Sequence, residues 1–389
     1  MSSKSMTHRE RSLAVLRYHP YDRLPLVHFG FWRETLEKWV TEGHLTVEEA
    51  RDWRDGNPTD TVISKKLGFD GNWACHFGAN SHLFPSFETQ VVKELPDGSR
   101  HIRNAEGVIV LQTPGTVSIP AEIKHTLVDR KSWEEHYKWR LQWSEERVRK
   151  NGVRVNDRVL PFDEGGLEFL KNGERDYLYG ISCGSLYGRI RNILGVEGAC
   201  YLQSDDEELF DEIIQTYADL CYRGVEWVLK SGVKFDTAHF WEDICFKSGP
   251  LITPAVFREK IGPHYKRITD LLKKYGIEIV SLDSDGKIDA LVPIWLENGV
   301  NTMFPIEVGT WDASIAPWRE KYGKGLLGVG GMNKVAFTRN RAAVDAEVER
   351  MKPLVALGGF IPCPDHRISP DAEWDLVRYY CDRMRSTFG

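Results

Sequence analysis

From about residue 174 onward, short runs rich in β-branched and aromatic residues give way, again and again, to longer stretches with helical spacing of their apolar positions. The runs at 177–181, 235–240, 278–282, 302–305, 326–330 and 359–362 read as strands. Between them, helices are predicted over 205–230 (as one or two), from Thr253-Pro254 to 275, over 288–298 with a stop at Gly299, over 312–322 and over 341–356. A closing helix is expected from Pro370 to 384. Strict alternation of this kind is how a chain builds a parallel sheet covered by helices, and this number of units predicts an α/β fold of the (β/α)8 barrel (TIM barrel) type. The first half is less regular. Residues 7–18 form an amphipathic helix, 22–27 lead into a first strand, and 88–125 read as an antiparallel β insertion turning at Pro96-Asp97-Gly98. With no Gly/Ser/Pro linker in view, residues 1–389 are expected to be a single domain, with the 88–125 insertion near the mouth formed by the strands' C-terminal ends.

Composition narrows the class. Apolar residues make up 41% and charged residues 28% of 389, as in an ordinary folded enzyme. A net charge of −6 with dispersed Lys and Arg argues against nucleic acid as a partner. No run is long enough to span a membrane, and the opening Met-Ser-Ser-Lys-Ser-Met lacks an apolar signal core, so the expected location is cytoplasmic. Seven cysteines with no CxxC or CxC pair exclude a disulfide framework and a zinc ribbon. Thirteen tryptophans, several near predicted strand ends, suggest a cavity walled by aromatic rings.

The polar chemistry collects where strands end. Trp241-Glu242-Asp243 follows one strand, Asp283-Ser284-Asp285-Gly286 another, and Glu307 and Asn333 follow the next two. The last strand leads into Pro362-Cys363-Pro364-Asp365-His366-Arg367, where the prolines are expected to end the strand and stiffen a shelf of polar groups. Carboxylates crowded at one mouth either raise a pKa, giving a general acid, or are relieved by a cation. Bland roles compete with each. Asp285-Gly286 can simply turn the chain, Glu307 can pair with a neighbouring cation, Cys363 can be a buried filler, and the tryptophans can be core. His366, on a proline-fixed loop between Asp365 and Arg367, is the strongest functional residue. A mixed carboxylate, imidazole and thiol set suits zinc. Asp283, Glu307 and His366, with Asp285 and Cys363 in reserve, are therefore expected to hold a divalent metal, or to share a proton without one.

These segments resemble the uroporphyrinogen decarboxylase superfamily. Thr7-His8-Arg9-Glu10-Arg11 with Asp22-Arg23-Leu24-Pro25 is similar to its entry helix and first strand, and Trp241-Glu242-Asp243 with 248–254 to another shared segment. Asp283-Ser284-Asp285-Gly286, Pro305-Ile306-Glu307, Gly330-Gly331-Met332-Asn333 and 358–371 complete the likeness, which implies a (β/α)8 barrel. The decarboxylase carries a basic N-terminal motif for the substrate's carboxylates. Here the matching 26–32 stretch, with His28, Phe31 and Trp32, is aromatic and nearly uncharged, which speaks against a polycarboxylate substrate. The other branch contains corrinoid-dependent methyltransferases, whose zinc-containing members use a His-x-Cys pair and a later Cys. Asp283 and Asp285 align with that pair and Cys363 with the last ligand. Replacing thiolates by oxygen ligands suggests an ether rather than a thiol.

The resemblance thus implies a methyltransferase that moves a methyl group from a methoxylated aromatic (an aryl methyl ether) to the cobalt of a separate corrinoid protein, which is O-demethylation. The corrinoid (cobalamin) is expected on that partner, since no Asp-x-His-x-x-Gly motif occurs. Expected catalytic residues are His366, Glu242 and Asp285. Expected substrate contacts are His28, Phe31, Trp32, Trp73, His76, His239 and Trp241, with Phe240 beside them. A decarboxylase (lyase) acting on a small carboxylic acid, and a non-catalytic binding barrel, are the competing readings. A homodimer is compatible with the sequence.

Overall fold

Seven strands pair in one parallel sheet in a computed structural model that describes residues 5–114 and 120–389. Their order is Phe360–Pro364, Leu327–Met332, Thr302–Ile306, Val280–Asp283, Thr237–Trp241, Gly180–Ser182 and His76–Phe77. These strands are buried almost throughout, which is why they read as apolar runs rather than as alternating ones. Two further parallel strands, Val27–His28 and Gly71–Asn72, pair with each other. Gly71–Asn72 and His76–Phe77 are two parts of one pass of the chain. The first part faces Val27–His28 and the second faces Gly180–Ser182. On the far side, the first and last strands are linked by a single bridge, Phe31 with Ile368, rather than by a ladder.

The predicted elements recur with shifted ends. The helix over Arg341–Ala356 falls where the periodicity put it. The stretch 205–230 becomes Glu207–Lys230, preceded by Gly188–Asp205. The helix expected from 288 starts at Val292, the one expected over 312–322 is Ile315–Tyr322, preceded by an unexpected turn of helix at Val308–Trp311 that ends at Asp312 (φ 60°), and the closing helix is Trp374–Phe388.

The prolines correct one expectation outright. Pro362 and Pro364 do not end the last strand but pair within it, opposite Gly330 and Met332. The amide of Asp365 donates to Met332. Odd-numbered residues therefore turn their N–H groups toward the neighbouring strand, and the two prolines turn their missing ones toward Val27–His28, with which no ladder forms.

An apolar cluster of Val15, Leu16, Val27, Phe29, Ile279, Phe304, Val329 and Ile361 fills the interior of the sheet. Helix His8–Leu16 supplies its first two members. That helix starts at Thr7 in a capping box, with the Thr7 hydroxyl accepting from the Glu10 amide (3.2 Å) and the Glu10 carboxylate from the Thr7 amide (2.7 Å). The acidic residues expected from the sequence lie at the strands' C-terminal ends. Residues Gln90–Glu94, Arg100–Arg103, Val108–Gln112 and Ala121–His125 form a four-stranded antiparallel sheet that leans on that end. Glu106 pairs with Arg189 (3.0 Å), and His125 Nδ1 donates to the Ile193 carbonyl (3.2 Å). No helix among the described residues is long and apolar enough to cross a membrane.

Gly330 marks the closest backbone approach in the sheet. Its φ is 127°, and a Cβ there would lie 2.3 Å from the Ile306 amide nitrogen. Gly330→Ala is expected to destabilise the fold by about 2 kcal/mol or more, read as a lower denaturant midpoint. An unchanged midpoint would show that the strand pair can relax around a side chain.

Candidate active site at the C-terminal strand ends

Asp283 is the last residue of its strand, with Trp241 and Phe304 as its neighbours on either side. The chain then turns through Asp285 and Gly286. Gly286 (φ 84°) lies where a Cβ would meet the Cys245 carbonyl, so only glycine fits. Its amide donates to Glu307 Oε2 (2.5 Å), and Thr310 donates to Glu307 Oε1 (2.9 Å). From the last strand, Asp365 accepts from the amides of Gly309 (2.7 Å) and Lys334 (3.0 Å), which staples the following loop in place. That staple delivers His366, whose Nε2 meets Asp285 Oδ2 at 3.1 Å. Trp32 stacks on the imidazole with centroids 5.7 Å apart, and Phe29 touches it edge-on at 5.6 Å. His366 Nδ1 and Asp285 Oδ1 are buried and meet no hydrogen-bond partner among the described residues.

The electrostatics follow from this crowding. Asp283 is 7% exposed, and burial, then the charges of Asp285 and Asp243, push its carboxyl well above the usual range. Burial and Asp285 raise Glu307 and Asp243 as well. Nearby cations are committed elsewhere. Arg191 donates to Asp243 Oδ2 (2.9 Å), and Arg367 to Asp55 (2.5 Å) while lying over Phe29 and Trp53. Burial lowers Lys334, against the attraction of Asp365, Glu307 and Asp285.

Asp283, Asp285, Glu307 and His366 thus come together, and other expected residues do not. Glu242 is fully enclosed and points away, into the loop before Gly188–Asp205. It accepts from the amides of Leu186, Tyr187 and Gly188 (2.7–2.9 Å), from Ser185 (3.2 Å) and from the Tyr265 hydroxyl (2.5 Å). It is a structural clasp, not a catalytic acid, because every lone pair faces a protein donor. Cys363 is buried in the apolar interior cluster, and burial lifts its thiol well above the ordinary value. The metal set of Asp283, Glu307, His366 and Cys363 therefore does not converge. Among the described residues, no group of three or more His, Cys, Asp or Glu is arranged to hold an ion. The donors present do not fit zinc.

Of the expected substrate contacts, His28 and Phe31 are core. His28 Nε2 bonds to Ser64 (2.8 Å), Nδ1 accepts from the Gly30 amide, and burial lowers the ring to about 3. Phe31 packs on Trp39 and Trp53, Phe240 on Tyr265, and Trp73 belongs to the interior cluster. His76 and His239 stack on each other (4.1 Å), with His239 Nδ1 bonded to Ser281 (2.7 Å). Trp32 and Trp241 remain at the strand ends. Asp55, Arg191 and Lys334 escaped the sequence reading, and no spacing signal marks them: each arrives from a different connection.

No protein-family model matches the chain, and no curated protein matches its sequence. Among solved structures it is similar to a methyltransferase from Methanosarcina mazei, at 13% identity and a TM-score of 0.58, over 98% of this chain and 99% of that one. A putative vitamin-B12-independent methionine synthase from Listeria monocytogenes matches with 12% identity and a TM-score of 0.40, over 95% of this chain and 98% of the other. A B12-independent methionine synthase from a Shewanella species matches with 12% identity and a TM-score of 0.45, over 94% and 98%. The likeness to the first is one of fold, along the whole chain.

Two outcomes follow. Glu242→Ala leaves three amides and a tyrosine hydroxyl without a partner in a dry site, so a loss of about 3 kcal/mol or more is expected in chemical denaturation. Asp283 is raised in the folded state, so its contribution is most favourable at low pH. It declines as pH rises from the ordinary carboxylate range through the raised value. Asp283→Asn should therefore match wild type near pH 4 and be the more stable protein at pH 8. Equal stability at both pH values would contradict the buried, unpaired placement of this carboxyl.

Proposed function

We propose that this protein is a methyltransferase of the uroporphyrinogen decarboxylase superfamily, its strands closing into a (β/α)8 barrel. It moves a methyl group from a methoxylated aromatic to the cobalt of a corrinoid carried by a separate protein. The observation that carries the reading is the state of His366. One ring nitrogen is held by Asp285, Trp32 lies against the ring, and the other nitrogen is buried with no partner. That nitrogen is the group proposed to meet the leaving oxygen.

In the proposed reaction, the reduced cobalt of the partner supplies the nucleophile, in line with the methyl–oxygen bond. That bond breaks, its electron pair goes to the oxygen, and the aryl–oxygen bond stays intact. In this step His366 gives a proton from Nδ1 to the departing phenolate and keeps the proton on Nε2, which faces Asp285. Asp283 and Glu307, favoured in their neutral forms, keep the pocket from repelling the electron-rich ether. Trp32 and Trp241 offer faces for the ring. No step passes through a metal, because the donors do not form a site for one. Decarboxylation of a small acid is the poorer fit. The cations beside the cluster, Arg191, Arg367 and Lys334, already face Asp243, Asp55 and Asp365, so a carboxylate placed at the reacting end, against His366, meets no free cation there.

The test is methyl transfer from methoxybenzenes to a reduced corrinoid protein. His366→Ala should fold normally by circular dichroism and lose about 10²–10⁴-fold in rate. Full rate in that variant sinks the role of His366. Wild type dialysed against a strong chelator should keep its rate; loss of activity restored by zinc would overturn the proton-donation mechanism.

A further inference from the structure

Beside the carboxylate cluster lies a small cavity of about 300 Å³ whose character is the opposite. It opens at the C-terminal ends of His76–Phe77, Gly180–Ser182 and Thr237–Trp241, and Trp241 forms one wall. Because Trp241 and Asp283 are partners on adjacent strands, cavity and cluster are about one strand spacing, ~4.8 Å, apart. The lining includes three residues with little or no side chain, Gly78, Ala79 and Gly184. Gly78 is forced, since a Cβ there would lie 2.5 Å from the Ser182 carbonyl.

Arg189 is the one cation in this lining besides the imidazole of His82. Its guanidinium lies over the Trp241 ring, 4.7 Å from the centroid. It is held from outside by Glu106 of the antiparallel insertion (3.0 Å) and by His82 Nε2, which accepts from Nη2 (3.0 Å). Burial, then Arg189 and Arg147, lower His82 to about 4, so at neutral pH it is an acceptor here and adds no charge. The site is therefore bipolar, with the acids Asp283, Asp285 and Glu307 at one end and an oriented guanidinium on a tryptophan at the other. A ligand's anionic group meets no free cation at the first end and an oriented guanidinium at the second.

We infer that Arg189 is a specificity-determining residue that binds an anionic substituent, a carboxylate, on the ring of the methyl donor. The ring lies along Trp241 and its methoxyl oxygen is turned toward His366. Glu106 acts as an internal counter-ion that the substrate's carboxylate competes with for the guanidinium. The inference rests on the methyltransferase reading for the identity of the ring, but its test needs no methyl transfer.

Binding of 4-methoxybenzoate and of its neutral isostere 4-methoxybenzamide to the intact protein is to be compared by calorimetry. Wild type should bind the carboxylate about 10- to 100-fold more tightly, the range of a charge-assisted hydrogen bond. Arg189→Gln should abolish that preference. Glu106→Gln, which leaves the arginine in place, should strengthen carboxylate binding, so a folding defect in the first variant does not leave the question open. Equal affinity for the two ligands in wild type, absence of binding by both, or an undiminished preference in a folded Arg189→Gln protein would overturn the inference. Carboxylate preference without methyl transfer to a reduced corrinoid protein would refute the function while leaving the inference standing. Transfer from charged and neutral ethers with equal KM would do the reverse.

Discussion

A carboxylate sealed from water must have every lone pair answered by a donor, and Glu242 imposes that condition on the whole C-terminal end of the sheet. Its partners are three successive amides and the Ser185 hydroxyl from the loop after Gly180–Ser182, and Tyr265 from helix Gly262–Lys274. Meeting it ties a strand, a loop and an outer helix into one unit. The helix that starts at Gly188 is so close that a Cβ on that glycine would lie 1.9 Å from the Glu242 carbonyl oxygen. From this fixed start the helix projects Arg189 over Trp241 and Arg191 onto Asp243. Arg189 and Arg191 thus take their placement from a carboxylate that is itself enclosed.

The carboxylates that remain differ in how far the protein satisfies them. Asp365 is answered by backbone amides and serves as a staple. Glu307 is half in that role, holding the Gly286 turn while facing Asp285. Asp283, buried and without a hydrogen bond to its carboxyl among the described residues, is left to be neutral. A low-dielectric pocket cannot carry several negative charges side by side, so the graded satisfaction sets which groups hold protons. Aromatic rings at Trp32, Phe29 and Phe304 keep the surroundings dry enough for the gradient to persist.

Much of the frame could be read from the chain. The alternation of apolar runs with helical spacing located the parallel strands because both faces of those strands are covered. That Asp283, Asp285, Glu307 and His366 come together was legible because each lies at, or within two residues of, a strand's C-terminal end, and strand ends converge whatever the loops do. Glu242 meets the same positional criterion and yet turns out of the cluster. Its side chain leaves the strand end for an adjacent loop, and nothing in Trp241-Glu242-Asp243 records which way it turns. Asp55 and Arg367 are 312 positions apart, and only packing through the side-chain-free space at Gly30 brings them together.

What the sequence by itself determined is therefore the order of elements, the covered parallel sheet and the row of polar residues at its ends, since these depend on local periodicity and on where each strand stops. Tertiary structure alone decided the roles within that row. It made Cys363 a core residue, Glu242 a clasp and His366 a ring with one nitrogen committed and one free. The reason is physical: burial and hydrogen-bond satisfaction are sums over neighbours from distant segments, and a role that depends on such a sum is not written at any single position.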